Sequence, residues 1–222
     1  MRLSWRFVAI AALFVTTLVI SNIIAVKLVE ISGRVFPAGL VIFPLSYLLG
    51  DVLTEVYGYR SARLVIWIGF ACNLVAVAAI QAAIHLPAAG FWAENQGAYD
   101  QTLGTTWRLF LASLAAYVVG EFSNSFVLAK MKIATKGRFL WTRTIGSTVV
   151  GEGLDSLIFV TAAFAGTGSP LADPIVTTWA IKVGYETAAT PFTYAIVNWL
   201  KRREGLDVFD RRTDFNPLAV GR

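Results

Sequence analysis

Apolar residues in this chain run in long blocks that are neither alternating nor narrowly striped. About 20 mostly apolar residues in helical conformation are needed to cross the hydrocarbon core of a bilayer. Six segments meet that length: Phe7–Val29, Val35–Tyr57, Arg63–Ile84, Trp107–Ala129, Thr144–Gly166 and Ile175–Leu200. The first and third are the cleanest, while the other four carry acidic residues or a lysine inside the run. The pattern predicts an all-α integral membrane protein, a six-transmembrane helix bundle over residues 1–200 followed by a polar cytoplasmic tail over 201–222. The opening, Met1 to Arg6 and then apolar residues to about Val29, is too long for a signal-peptide core and reads as the first span, uncleaved.

The connections alternate in charge. Arg2 and Arg6 precede the first span, Arg60 and Arg63 separate the second and third, and Lys130, Lys132, Lys136, Arg138 and Arg143 separate the fourth and fifth. Lys201, Arg202, Arg203, Arg211 and Arg212 follow the sixth. The third connection, about Ala83 to Thr106, holds Glu94 and Asp100 with no lysine or arginine; the fifth holds only Asp173. Basic loops stay in the cytoplasm, so six spans with both termini cytoplasmic place every basic segment on one side. Lys27, near an outer end, is expected to snorkel. Trp5, Trp92, Trp107, Trp141, Trp179 and Trp199 fall near predicted span ends, as in an aromatic belt, whereas Trp67 lies deeper.

Composition agrees. The 222 residues are 56% hydrophobic and 15% charged, with a mean hydropathy of +0.64, against roughly 25% charged in soluble domains. The net charge of +5 belongs to span ends and implies no nucleic-acid partner. A single cysteine, Cys72, and a single histidine, His85, exclude a disulfide framework and a multi-histidine metal site. No nucleotide-binding glycine loop, dinucleotide fingerprint or zinc-protease helix motif is present, and no cofactor is called for.

The informative residues are those that lipid should exclude. An acidic residue near the bilayer centre costs about 2.5–3.5 kcal/mol. Here Asp51 and Glu55 lie in the second span, Glu121 in the fourth, Glu152 and Asp155 in the fifth, and Lys182 and Glu186 in the sixth. Asp51 and Glu55, like Lys182 and Glu186, are four apart; Glu121 and Asn124, like Glu152 and Asp155, are three apart. Residues so spaced share a helix face, so each span carries one polar stripe, and four facing stripes line one central site. Each residue also has a plainer reading. Asp51 pairs with Arg60 or Arg63, Lys182 is only the partner of Glu186 or Asp155, and Glu55 reaches the cytoplasmic interface. Asn22 and Asn73 either bind solute or serve as interhelical hydrogen-bond glue. Arg143 is mostly topology signal or reaches inward to close a cytoplasmic gate. Pro191, in Thr190-Pro191-Phe192, favours a kink in the sixth span, and Pro44 one in the second.

A local echo accompanies the stripes. Val118-Val119-Gly120-Glu121-Phe122-Ser123-Asn124-Ser125 parallels Val149-Val150-Gly151-Glu152-Gly153-Leu154-Asp155-Ser156, with Gly50-Asp51-Val52-Leu53-Thr54-Glu55 a looser third copy. A glycine before each acid lets helix backbones approach closely, which places the acids at antiparallel helix crossings.

Ser21-Asn22, the run Gly50-Asp51-Val52-Leu53-Thr54-Glu55-Val56-Tyr57-Gly58-Tyr59, Leu140-Trp141-Thr142-Arg143, Asp155-Ser156-Leu157-Ile158-Phe159, Lys182 and Thr190-Pro191 together resemble the queuosine-precursor transporter (YhhQ-type, VUT) family over about Ser21 to Leu200. Glu121 and Asn124 depart from its pattern, where some members have Gln and Asp. The resemblance implies import of 7-cyano- or 7-aminomethyl-7-deazaguanine across the bacterial inner membrane, with Asn22, Asp51, Asn73, Glu121, Asn124, Glu152, Asp155, Lys182 and Glu186 as solute-binding candidates. Glu55, Arg143 and Pro191 are then gate or structural candidates, and Tyr117, Phe122, Phe159 and Tyr185 candidates for an aromatic wall. The expected partners are a small deazaguanine base and the lipid bilayer, with a homodimer left open. Two other classes compete: a substrate-binding subunit that borrows an ATPase complex, and an intramembrane acid protease using Asp51 and Asp155, whose usual motifs are absent.

Overall fold

The computed structural model describes residues 4–31, 34–104, 107–166 and 171–219; Arg2, counted among the N-terminal charges, and the side chain of Trp107 lie outside that description. Helix α1 (Trp5–Ile24) starts at Ser4, whose hydroxyl accepts the Phe7 N–H at 3.1 Å, a capping contact that satisfies one orphan donor of the first turn. A short antiparallel hairpin follows, β1 (Leu28–Ile31) against β2 (Arg34–Pro37), then a 3-10 turn (Ala38–Val41) and helix α2 (Phe43–Tyr57). The expected second span is therefore helical only in its later two thirds. Pro37 and Pro44 account for this, since proline is excluded from a helix interior but accepted in a first turn. Pro44 sits in the first turn of α2, so the expected mid-span kink does not arise there.

Gly58, at φ +83°, turns the chain into α3 (Tyr59–His85). A second 3-10 turn (Gly90–Asn95) and the short α4 (Gln96–Leu103) occupy what the sequence pattern left as a plain loop. Helices α5 (Trp107–Ala134), α6 (Leu140–Phe164) and α7 (Ala172–Glu204) complete the bundle, and α7 runs through Pro191 as one helix. Three helices, α1, α3 and α6, together with the stretch Gly90–Ala134 that contains α5, are long and apolar enough to cross a membrane. Helix α2 has 15 residues, about 22 Å of helix, and α7 carries Lys182 and Glu186 in its interior.

Helix α2 is the hub. Every residue from Ser46 to Tyr57 is buried, and α1, α3, α5 and α7 all pack on it. Helices α5 and α6 form the most extensive pair, and α7 lies against α6 and α2. Large apolar side chains such as Val8, Leu13, Leu111 and Phe192 face outward, as they do where lipid is the solvent, while polar groups gather inside.

Both described ends of the chain meet on one face. Glu204 accepts hydrogen bonds from the Ser4 hydroxyl (2.9 Å) and from Arg6 (3.2 Å). The segment after α7 is not a loose appendage; it folds back as a strap over this terminal face. Its Asp210 accepts the Tyr59 N–H at 3.0 Å, and Arg63 donates to the carbonyls of Asp214 and Asn216. Trp67, which the hydrophobic pattern leaves without a role, donates its indole N–H to the Pro217 carbonyl at 2.8 Å. A side chain on Gly58 would collide with Val208, and one on Gly137 with Phe209, so the strap sits tight against the α2–α3 turn and the α5–α6 loop. Arg108, which the charge count of the connections passes over, donates to the Ala162 and Ala165 carbonyls at the end of α6. There a guanidinium meets both orphan acceptors and the negative end of the helix dipole.

Candidate functional site

The echo is a crossing. A Cβ placed on Gly120 would lie 3.1 Å from the Gly151 carbonyl oxygen and 2.9 Å from the Asp155 Cβ. One placed on Gly151 would lie 2.9 Å from the Gly120 carbonyl oxygen and 2.7 Å from the Asn124 Cβ. The α5 and α6 backbones thus touch at the two glycines, and each glycine receives the polar residue four positions beyond its counterpart. The third copy joins them, since a Cβ on Gly50 would lie 3.2 Å from Glu121 Oε2. Only helices lacking side chains at the contact approach so closely, and the approach forces the neighbouring acids into the interior.

Around this crossing α2 contributes Tyr47 and Asp51, α5 contributes Glu121 and Asn124, α6 contributes Thr148, Glu152, Asp155 and Ser156, and α7 contributes Lys182 and Glu186, all of them buried. Asn124 donates to Asp51 Oδ1 at 2.7 Å. The Lys182 ammonium lies 2.6 Å from Glu152 Oε2 and 2.5 Å from Asp155 Oδ2, and 4.4 Å from the Phe43 ring centroid. The expected choice between Glu186 and Asp155 as lysine partner is thus resolved in favour of α6: Lys182 spans to Glu152 and Asp155. Asp51 takes Asn124 as its partner, whereas Arg63 serves the strap.

Several buried polar atoms here have no hydrogen-bond partner among the described residues. They are both carboxylate oxygens of Glu121, both of Glu186, Asp51 Oδ2, Asn124 Oδ1, and the hydroxyls of Tyr47, Thr148 and Ser156. Buried polar groups are paired in the great majority of cases, and each exception costs about 1–3 kcal/mol. These exceptions concentrate where α5 crosses α6 and where α2 and α7 pack beside them. Hydroxyl donors and carboxylate and amide acceptors are both present among them.

Tyr47, Thr148 and Phe43 were not picked out by the charge pattern. Tyr47 precedes Asp51 by four residues and Thr148 precedes Glu152 by four, so the helical period itself carried that signal. Of the expected aromatic wall only Tyr117 is buried within electrostatic reach of Glu121 and Tyr47. Tyr117 donates to the Ile66 carbonyl at 2.9 Å, Phe122 packs on Trp67, Phe159 pairs with Phe164, and Tyr185 is exposed. Phe43 and Tyr47, whose ring centroids are 5.5 Å apart, supply aromatic surface to the site.

Two groups of candidates fall outside the central cluster. Asn22 donates to Asn73 Oδ1 at 2.7 Å, Asn73 donates to the Gly69 carbonyl at 3.0 Å, and Ser113 donates to Asn22 Oδ1 at 3.3 Å. This cross-link of α1, α3 and α5 is interhelical glue. Toward the terminal face, Glu55 is fully buried within the protein. Arg143 grips it with two 2.8 Å hydrogen bonds, Lys201 lies 2.6 Å from Oε1 and Lys132 lies 3.5 Å from it. Lys132, expected as topology signal, and Arg143, expected either as topology signal or to reach inward, are therefore buried partners of one carboxylate, and α2, α5, α6 and α7 are locked together there. Asp207 of the strap completes the lock at 2.6 Å from Lys132 and 2.8 Å from Lys201. Burial works to raise the Asp207 carboxyl, but Lys132 and Lys201 outweigh it and hold it below its ordinary 3.8. Pro191 lies one turn beyond Glu186 on α7, and the Thr190 hydroxyl donates to the Glu186 carbonyl at 2.9 Å.

A surface pocket of about 270 Å³ among Ala83, Leu86, Pro87, Phe91, Trp92 and Gln96 has no charged lining residue and lies at the far end of α3 from the lock.

Residues 37–196 match a family model described as "Putative vitamin uptake transporter". The chain is similar to a protein of Bacillus subtilis (strain 168) named "Probable queuosine precursor transporter", at 29% identity over 180 residues, covering 80% of this chain and 78% of that one. No solved structure matches the chain.

Proposed function

From the premise that this chain belongs to the family described as "Putative vitamin uptake transporter", we propose that it imports 7-cyano- or 7-aminomethyl-7-deazaguanine across the bacterial inner membrane. It does so with six spans and both termini in the cytoplasm. The observation that carries the reading is the set of partnerless polar atoms at the α5–α6 crossing, headed by both oxygens of Glu121. The printed name of the Bacillus relative points to the same class of solute.

A deazaguanine presents a ring N–H and an amino group side by side. A carboxylate with both oxygens free of protein donors accepts the two together, in the fork geometry it uses with arginine. Glu121 takes that edge. The solute carbonyl takes a proton donor from Lys182, which Glu152 and Asp155 hold in place. Phe43 and Tyr47 cover the ring face, and Asp51 Oδ2 meets the 7-substituent, where a cationic aminomethyl group gains most. Alternating access around a fixed central site then requires the Glu55 lock to open toward the cytoplasm.

The test is complementation. A bacterial strain unable to make or import deazaguanine precursors expresses this chain, is fed a low level of one precursor, and its tRNA queuosine is measured. Restored queuosine that falls at least tenfold with Glu152→Gln, at equal membrane abundance, is the expected result. No restoration by abundant wild-type protein refutes the substrate class.

A further inference from the structure

The charges in the central cluster do not balance. Among the described residues the crossing gathers five carboxylates, Asp51, Glu121, Glu152, Asp155 and Glu186, around one ammonium, Lys182. Glu152 and Asp155 share that ammonium, Asp51 has the Asn124 amide, and Glu121 is the acceptor for solute in the reading above. Glu186 remains. Its residue is 1% exposed and neither carboxylate oxygen has a hydrogen-bond partner among the described residues. Lys182 is one turn away on the same helix yet turns to α6. The elements packed most extensively against α7 are α6 and α2. The charged groups they turn toward Glu186 are Asp51 and Glu152, both acidic, with Asp155 committed to Lys182. The cations of α7's other end, Lys201 and its neighbours, belong to the Glu55 lock.

A buried ionised carboxylate with no donor and only like charges facing it is several kcal/mol out of balance. The group escapes that cost by binding a proton, and it regains a reason to ionise only when water reaches it. In an alternating-access cycle water would reach it if the bundle opened along α7, the helix that also carries Lys182 and Pro191. Glu186 is thus placed to exchange a proton with whichever side the site faces.

We propose that Glu186 is a proton-binding site, loaded in the closed bundle and emptied as the site opens, so that solute crosses together with a proton. The coupling rests on the transport reading above; the proton site does not.

Two measurements test it. Purified full-length protein is reconstituted in liposomes holding a pH-sensitive dye, with no imposed gradient, and 7-aminomethyl- or 7-cyano-7-deazaguanine is added outside. The lumen should acidify in proportion to labelled precursor taken up, and the acidification per molecule moved should drop at least tenfold in Glu186→Gln. Precursor uptake without acidification, or undiminished acidification per molecule in the variant, overturns the coupling. Infrared spectroscopy of the solute-free protein at neutral pH should show the C=O stretch of a buried protonated carboxyl that Glu186→Gln removes. If that variant does not fold, Glu186→Asp should shift the stretch instead. A wild-type spectrum without the band overturns the proton site whatever the solute is. A band together with no precursor movement leaves the proton site standing and refutes the substrate assignment alone.

Discussion

Replacing Glu55 by alanine should destabilise the whole bundle, because four elements converge on one carboxylate. Arg143 would lose two 2.8 Å charge-assisted hydrogen bonds and keep only the Arg138 carbonyl at 2.6 Å and the Gly137 carbonyl at 3.4 Å. Lys132 would fare better, retaining the Glu55 and Val208 carbonyls and Asp207, and Lys201 is partly exposed. The loss therefore falls mainly on one fully buried guanidinium. Removing one member of a buried ion pair costs about 3–5 kcal/mol, which for a chain of this length lowers the melting temperature by on the order of 10 °C. The assay is thermal unfolding of detergent-solubilised protein, with Arg143→Lys and Arg143→Ala alongside. Lysine keeps the charge but loses the two-pronged geometry, so its effect should be intermediate. A melting temperature for Glu55→Ala within about 2 °C of wild type, the expected effect of well under 1 kcal/mol at this length, would refute the view that the lock holds the helices together.

Gly120→Leu should prevent assembly, since even a Cβ there would lie 2.8 Å from the Tyr47 hydroxyl and 2.9 Å from the Asp155 Cβ. Gly184→Ala, where a Cβ would meet nothing within 4 Å, should instead raise stability by up to about 1 kcal/mol; melting temperatures of the two variants check the contrast. Asn73→Leu should cost about 0.6–1.7 kcal/mol, the range for interhelical hydrogen bonds in membranes, read as a fall in melting temperature; combined with Asn22→Leu, which also removes the Ser113 hydrogen bond, the fall should be smaller than the sum of the two single effects. Asp207, held below its ordinary 3.8 by Lys132 and Lys201, stabilises the strap above the unfolded-state value and loses that effect as pH falls through the lower folded value. Protease cleavage of the strap should therefore rise below about pH 4, and Asp207→Asn should give the acid behaviour at neutral pH.

Much of the architecture was legible because it follows from solvent. Runs of apolar residues long enough for a bilayer, with basic residues at alternate connections, announced a helical membrane bundle. The spacing of acids at three and four residues announced polar stripes, and the glycine before each acid announced the crossing that Gly120 and Gly151 form. Period, length and charge are local properties, and they survive in a one-dimensional reading.

Pairing is not local. Lys182 has Glu186 one turn away on its own helix and takes Glu152 and Asp155 on another, a preference that only the placement of α6 against α7 creates. Glu55 reads as an interfacial acid until Arg143, Lys132 and Lys201 arrive from three other segments. Asn22 and Asn73 read equally as solute ligands or as interhelical glue until they are seen bonded to each other. The strap was least legible of all: its anchors are mostly backbone carbonyls meeting Arg63, Trp67 and Lys132, and backbone carbonyls leave no trace in side-chain composition. Residue type and spacing dictate which residues must leave lipid and which helix face each must share; which of them neutralise one another follows only from the folded arrangement, because charge compensation in a low-dielectric interior depends on distances of a few ångströms between segments far apart in the chain.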